Sequence, residues 1–474
     1  MPAVEQHRDG LHIAYIGGGS RDWAWTLIAD LALEPALSGT VHLYDIDFEA
    51  AKTNEMIGNN LVFDPRTVSK WKYCVEPSLE KVLTGADFVI ISILPGTFDE
   101  MAADLELPQK YGIYQSVGDT VGPGGIMRSM RTIPMIAEIG RAIAEYAPGA
   151  WVINYTNPMT VCTRTLYSVF PQIKAFGCCH EVFHTQELMV RLLETERGIT
   201  GVQREEIRLN VLGINHFTWF DEISRGSENL LPLFAEAAEK YCESGYAVSS
   251  AHTKSENTFR NQNKVGFDLF RRFGLVPVAG DRHIAEFLPP WYLRDEETIA
   301  KFGFALTPIS WRRENRKKLV TLSREYAEGR QFFKLKKSDE EGIRQIKAVL
   351  GMGDFVTNVN LPNAGQMAGL PLGAVVETNA LLSLNSIRPV FAGKLPDNVN
   401  GVVLGHVNNQ ENIVKAGLAG DTDLAFSVFL NDSQMVLPIE RAQKLFGEMF
   451  DATRHYLKDW SEPRKIFCSM FPME

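Results

Sequence analysis

From Leu11 to about Val182, short apolar runs alternate with longer amphipathic stretches: LHIAYIG then TLIADLAL, VHLYD then a helical pattern through Met56 to Leu61, DFVIISIL, a helical stretch from Met127 to Ala147, AWVINYT then Pro158 to Val169, and KAFGCC. The strand-like runs are continuous rather than alternating, the pattern of strands buried on both faces. Strand and helix repeated in this way predict a doubly wound, Rossmann-like parallel sheet in an α/β domain. Beyond about Phe183 the rhythm gives way to long helical patterns with a few strand-like pieces, EIRLNVLGINH and LVPVAG among them. The pattern therefore predicts two domains, an α/β region over 1–182 and a larger, mostly helical α+β region over 183–474. Ser338 and Glu341 have capping-box spacing ahead of the apolar run Ile343 to Leu350, which predicts a helix start there. No repeat, low-complexity tract or linker separates the two regions, so they are expected to pack tightly.

Composition narrows the class of function. The chain has 474 residues, enough for two or three domains of roughly 150 residues each. Hydrophobic residues make up 45% and charged residues 22%, as in folded globular proteins. With 48 Lys and Arg against 58 Asp and Glu, the net charge of −10 gives no electrostatic reason to expect a nucleic-acid or anionic-membrane partner. The apolar runs are far short of the roughly 20 residues of a membrane span, and the N-terminus carries no signal-peptide pattern, so the expectation is a cytoplasmic protein with a small-molecule partner. Six scattered cysteines fit reduced thiols better than a disulfide framework.

The first predicted strand ends in YIGGGSRDW. Gly17, Gly18, Gly19 and Ser20 stand where a strand turns into a helix, the place where backbone approaches a pyrophosphate and helix-start amides favour negative charge. The third glycine of the dinucleotide fingerprint would fall at Asp22, so the turn alone is weak evidence. The next strand ends in Asp45, 26 residues past Gly19, where a carboxylate accepts the adenosine ribose hydroxyls and repels a ribose phosphate. That favours NAD over NADP. Asp47 competes for the role, and an acidic residue after a strand is also a common helix cap.

Three histidines stand at or near predicted strand ends: His180 in FGCCHEVF, His216 in LGINHFTW and His283 in VAGDRHIAEF. Ligands of open α/β sheets collect at such ends, which gives Cys179, His180 and His216 a common neighbourhood, although their spacing is no local zinc motif. The stretch QSVGDTVGPGGIMRSMRTIP carries Asp119, Arg128 and Arg131 among four glycines, a composition that serves either a mobile turn or close backbone approach to a ligand. The arginines suit an anion in fork geometry, or a solvated or paired role. Asn157 in NYTNP can hold a sugar hydroxyl or cap the helix that follows.

In order along the chain, YIGGGS, Asp45, NYTNP, GCCHE, GINH and GDRHIAEF resemble glycoside hydrolase family 4, the NAD- and divalent-metal-dependent glycosidases, and NVNLPNAGQMAGLPLGAVVE extends the likeness toward the C-terminus. GCCHEVF and GDTVGPGGIMRSMR look most like the α-galacturonidase branch. The 6-phosphoglycosidase branches carry Asp after the metal-binding Cys, where this chain has His180. The resemblance implies Cys179 and His216 as ligands of a divalent metal, usually Mn2+, and His180 as the group assisting the leaving aglycone. It also implies hydrolysis by oxidation at carbon 3, elimination, water addition and re-reduction, an exception to the two-carboxylate scheme of most glycosidases. Several branches use a Tyr as the carbon 2 base. The corresponding stretch NKVGFDLFRRFGLVP has none, and Asp268 is the substitute, with pairing to Arg271 or Arg272 as the alternative.

A uronate carboxylate calls for a cationic partner, for which Arg128, Arg131 and Arg282 are the candidates, with Asn157, Asp119 and Asn215 as further substrate contacts. The expected substrate is a galacturonide oligosaccharide and the expected assembly a homo-oligomer, dimer or tetramer. Activity as an α-glucosidase or α-galactosidase of the same family, or as a malate- or lactate-type NAD-dependent dehydrogenase, forms the competing set of readings.

Overall fold

The structure is a computed structural model that describes residues 7–248, 259–306 and 308–463. Cys468 lies outside them, and the other five cysteines are free thiols. Six parallel strands form the first part of the molecule: β1 Arg8–Ile16, β2 Leu37–Tyr44, β3 Trp71–Val75, β4 Phe88–Ile91, β5 Trp151–Asn154 and β6 Lys174–Gly177. Their spatial order is β6-β5-β4-β1-β2-β3, the doubly wound arrangement expected from the strand–helix rhythm. Ile13, Ala14, Val89, Ile91, Val152 and Ile153 are almost fully buried, which explains why these runs are unbroken by polar residues: helices cover both faces.

The second region contributes β7 Ile207–Ile214, β8 Phe217–Arg225, β9 Glu228–Asn229, β10 Val276–Pro277, β11 Phe355–Pro362, β12 Met367–Ala368, β13 Val375–Ser383, β14 Ser386–Pro389 and β15 Gly393–Lys394, set among ten helices of the described residues. Three of these strands extend the first sheet. β11 pairs antiparallel with β6 at Asn360 and Gly177, and β13 and β14 follow, giving nine strands in the order β14-β13-β11-β6-β5-β4-β1-β2-β3. β7, β8, β9 and β10 form a separate four-stranded antiparallel sheet, with β7 packed against β13. No helix among the described residues is long and apolar enough to cross a membrane.

Two local expectations change. The predicted capping box of Ser338 and Glu341 does not form: the Ser338 amide and hydroxyl both donate to Asp30, while Glu341 accepts from Thr357 and Arg204. The helix begins at Gly342 without a side-chain cap, because tertiary partners claim both capping groups. The helix expected from Met127 starts earlier, at Gly122, where Pro123 suits the first turn, and runs to Tyr146.

Candidate active site

The glycine-rich turn closes the C-terminal end of β1. Gly17 has φ +98°, and a Cβ there would lie 1.9 Å from the Ser92 carbonyl oxygen, so no other residue fits without moving β4. The amides of Gly17 and Gly18 both donate to the Tyr44 carbonyl, and that of Gly19 donates to Asp45 Oδ2 at 2.8 Å. The amides left open to an anion therefore belong to the first turn of the helix Trp23–Ala32, whose N-cap Asp22 makes no capping bond. Of the two competing carboxylates, Asp47 caps the helix Phe48–Asn60 through the Ala50 amide, and Asp45 remains at the strand end beside the turn. Ser20 completes the turn, its amide donating to Gly17 O.

Across the sheet edge, three chain segments converge. Donor atoms of Asp119, His216 and His283 lie within 4.8 Å of one another, the cluster of metal-ligating groups found among the described residues. His216 sits in the β7–β8 turn at φ +64°, a left-handed conformation unusual for a residue with a Cβ. Its Nδ1 is 3.0 Å from Thr120 Oγ1 and 4.0 Å from Asp119 Oδ1. The His216 and His283 rings are 4.1 Å apart. Burial pushes both imidazoles down, His283 to about 4, so both offer lone pairs at neutral pH. Burial opposes charge on Asp119 too, but the facing His216, His283 and Arg128 outweigh it and hold the carboxyl down at about 2. Two neutral imidazoles and one carboxylate suit a divalent ion such as Mn2+ or Zn2+.

Cys179 is buried at the end of β6 but is not a member of this trio. Burial, with the charges of Glu377 and Glu181, pushes its thiol well up, against a hydrogen bond with Asn215. Asn215 in turn donates to Glu377 Oε2 at 3.2 Å, and Asn358 donates both to Glu377 Oε1 and to the Cys179 carbonyl. A buried carboxylate held by asparagines thus orients the strand end that carries Cys179. Glu181 plays a parallel part beside the trio: it accepts the Gly280 amide and approaches His283 Nε2 at 3.7 Å.

The glycine-rich loop before Asp119 is pinned. Val117 and Gly118 donate their amides to Glu286 Oε1 at 2.7 and 2.9 Å, Gly122 donates to Asp432, and Gly124 donates to Gln115. Neither of the two roles expected of the glycines accounts for Gly118, which makes room for close packing against Leu105. A Cβ on Gly118 would strike Leu105 at 2.4 Å.

The remaining predicted residues divide. Asn157 faces the cluster, with Nδ2 3.5 Å from Asp119 Oδ2, and Pro158 rather than Asn157 stands at the N-cap of the following helix. Arg128 is buried and donates from Nε to the Asn157 carbonyl at 3.2 Å. Arg282 donates to the Ser116 carbonyl at 3.0 Å and stacks on Phe259. Arg131 points elsewhere: it is fully buried, and both terminal nitrogens of its guanidinium are paired with the Asp104 carboxylate. His180 stands at the start of the helix Glu181–Arg197, with Nδ1 3.0 Å from Glu340 Oε1 and its ring against Trp23. Burial opposes its protonation, yet the Glu340 hydrogen bond and the Glu181 charge prevail and lift it to about 9. Asp268 pairs with Arg272 at 2.8 Å and accepts from Tyr292 at 2.7 Å, the paired alternative, and makes no contact with the trio.

Sequence reasoning singled out His283 without a role, and missed Glu181, Glu286 and Glu377 altogether. The GDRHIAEF motif contained two of these groups, but only folding brings them to Asp119.

A profile of the family 4 glycosyl hydrolases matches residues 12–195, and a profile of the family's C-terminal domain matches 211–435. An α-galacturonidase of Thermoanaerobacterium saccharolyticum is 57% identical over 449 residues, 94% of this chain and 97% of that one. The crystal structure of the Bacillus subtilis lplD protein is similar with a TM-score of 0.89 and 49% identity, covering 93% of this chain and all of that one. A 6-phospho-α-glucosidase from gut microorganisms, solved in complex with NAD and Mn2+, shares the fold with a TM-score of 0.78 at 20% identity, over 95% of this chain and 99% of that one.

Proposed function

The chain belongs to the family 4 glycosyl hydrolases, and from that premise we propose that it is an NAD- and divalent-metal-dependent α-galacturonidase. The observation that carries the substrate class is the 57% identity, over nearly the whole chain, to an α-galacturonidase. The glycine turn and the Asp119–His216–His283 trio support the two cofactors from the chain's own chemistry.

The dinucleotide is held by the turn Gly17 to Ser20, by the open amides of the helix that follows, and by Asp45. The metal would be held by His216 with Asp119 and His283, and Cys179 is hydrogen-bonded to Asn215, the chain neighbour of His216. When bound, the two groups supply a reversible oxidation at carbon 3 of the sugar and Lewis-acid stabilisation of developing negative charge. Asn157 orients a sugar hydroxyl beside Asp119. His180, held by Glu340, is the proton donor to the leaving glycosidic oxygen. Glu286 keeps the Asp119 loop in place against the substrate. Asp268, committed to Arg272 and Tyr292, has no part in this assignment.

In the same reading the enzyme acts on a galacturonide oligosaccharide, in the cytoplasm, as a homo-oligomer. The exposed Leu384, Val390 and Phe391 near the β14 edge support self-contact.

The experiment is hydrolysis of an aryl α-galacturonide by the protein supplied with NAD, Mn2+ and a thiol reductant, run in D2O. Deuterium at carbon 2 of the released sugar, with no net NADH, is the expected result. Undiminished activity after exhaustive chelation overturns the metal assignment, and accumulating NADH would favour a dehydrogenase. Faster turnover of an aryl α-glucoside or α-galactoside than of the uronide transfers the enzyme to another branch of the family.

A further inference from the structure

Arg312 lies on the first turn of the helix Ile309–Ala327, far in sequence from every motif discussed above. Three contacts fix this helix on the helix Phe98–Lys110. Arg313 pairs with Asp99 at 2.5 Å, Arg316 lies over the Phe98 ring, and Ile309 packs with Met101 and Leu105. Leu105 is the side chain that occupies the space a Cβ on Gly118 would need. The first turn of the helix is thereby seated against the loop that presents Asp119. Burial lowers the Arg312 pKa, the Asp119 carboxylate opposes that shift and Arg128 adds to it, and Arg312 in turn acts on Arg282.

The charge balance there is uneven. Arg128, Arg282 and Arg312 bring three guanidiniums to the neighbourhood of Asp119. Burial, the largest influence on Glu286, lifts it to about 8, so it neutralises little of that charge at neutral pH. Arg312 Nε is buried without a hydrogen-bond partner, and the described residues give its guanidinium no ion pair. A half-buried guanidinium left in this condition is costly unless a ligand completes it. Two anions are at hand, the pyrophosphate of the dinucleotide and a substrate carboxylate. The same helix separates them: Arg316 and Arg324 act on Arg21 beside the glycine turn, whereas Arg312 acts toward Asp119 and Arg128.

We propose that Arg312, acting with Arg128, binds the carbon 6 carboxylate of the substrate and sets the preference for a uronide over a neutral glycoside. The proposal rests on the α-galacturonidase reading. It replaces Arg131 in the set of candidate clamps, because both terminal nitrogens of Arg131 are held by Asp104, whereas Arg312 has no ion pair among the described residues.

The test compares the wild type, Arg312→Gln and Arg312→Lys, each loaded with NAD and Mn2+. Three quantities are measured: KM for an aryl α-galacturonide, inhibition by galacturonate against its neutral analogue galacturonamide, and NAD affinity by fluorescence titration. The glutamine variant is expected to raise KM and the galacturonate inhibition constant about 10- to 100-fold, as for loss of a charge-assisted hydrogen bond. Galacturonamide inhibition and NAD affinity stay unchanged, which also shows the variant to be folded, and lysine falls between. Equal weakening of galacturonate and galacturonamide, unchanged galacturonate binding, or weakened NAD binding overturns the proposal, the last of these assigning Arg312 to the pyrophosphate. A wild-type enzyme that hydrolyses no galacturonide removes the α-galacturonidase reading itself, before any variant is compared.

Discussion

Arg131 and Asp104 form a buried two-point ion pair, with Nη1 3.0 Å from Oδ1 and Nη2 2.6 Å from Oδ2, each side chain at most 2% exposed. The fork geometry satisfies both carboxylate oxygens and joins the helix Phe98–Lys110 to the helix Gly122–Tyr146 behind the Asp119 loop. Breaking such a pair from one side strands the other charge. Asp104→Ala is expected to cost about 3–5 kcal/mol of stability. A thermal shift assay should show the loss, and any fall in turnover should be the same for charged and neutral substrates. A selective loss on uronides would return Arg131 to the substrate site.

The metal trio predicts a binding phenotype distinct from stability. Titration calorimetry with Mn2+ on His216→Ala and His283→Ala should show affinity reduced by at least about 100-fold, beyond the 10- to 100-fold typical of losing an outer-sphere partner. Glu181→Gln, which only approaches His283, should fall within that smaller range. Unaltered Mn2+ binding in both histidine variants would show that the ion sits elsewhere.

Asp45 combines a structural and a recognition role, because Oδ2 accepts the Gly19 amide while Oδ1 accepts that of Asp47. Asp45→Asn keeps one acceptor and loses the charge. NAD affinity should drop about 10-fold, the worth of a charged hydrogen bond, and the discrimination against NADP should narrow. Gly17→Ala should instead prevent the turn from closing, seen as loss of NAD binding together with a lower melting temperature.

Asp268→Asn separates the two readings of that carboxylate. In a pair whose arginine is exposed, and with an amide oxygen left to accept from Tyr292, the substitution costs about 1 kcal/mol and leaves kcat unchanged. A fall in kcat of about 1000-fold, the scale of lost general base catalysis, would restore Asp268 as the carbon 2 base.

Acid stability has a local contributor away from the site. Glu100 Oε2 accepts both the amide and the hydroxyl of Thr97 in the capping box of the helix Phe98–Lys110. Burial raises its pKa, but those hydrogen bonds prevail and the net shift is below 4.5. A lowered folded value means stability that is present above the unfolded value and is lost as pH falls below 4.5 through the folded one. Melting curves between neutral pH and the acid limb should therefore fall less steeply for Glu100→Gln, which keeps the cap without the proton linkage.

Much of the dinucleotide half was legible because its signals are local. Strands buried on two faces must be apolar throughout, a strand-to-helix turn at φ +98° must be glycine, and Asp45 must end the neighbouring strand to reach that turn. The family likeness rested on the same short motifs. The capping box at Ser338 shows the limit: the spacing was right, and Asp30 took the serine.

The sequence by itself determined the alternation of strand and helix, the glycine turn with its carboxylate, and the pool of ionisable groups at strand ends. Tertiary structure alone decided which of those groups share a site. It set His283 and Asp119 beside His216, gave Arg131 to Asp104, and turned Asp268 to Arg272. The reason is physical: hydrophobic periodicity is a property of neighbouring residues, whereas a buried charge takes whatever partner three-dimensional packing brings within reach, at any distance along the chain.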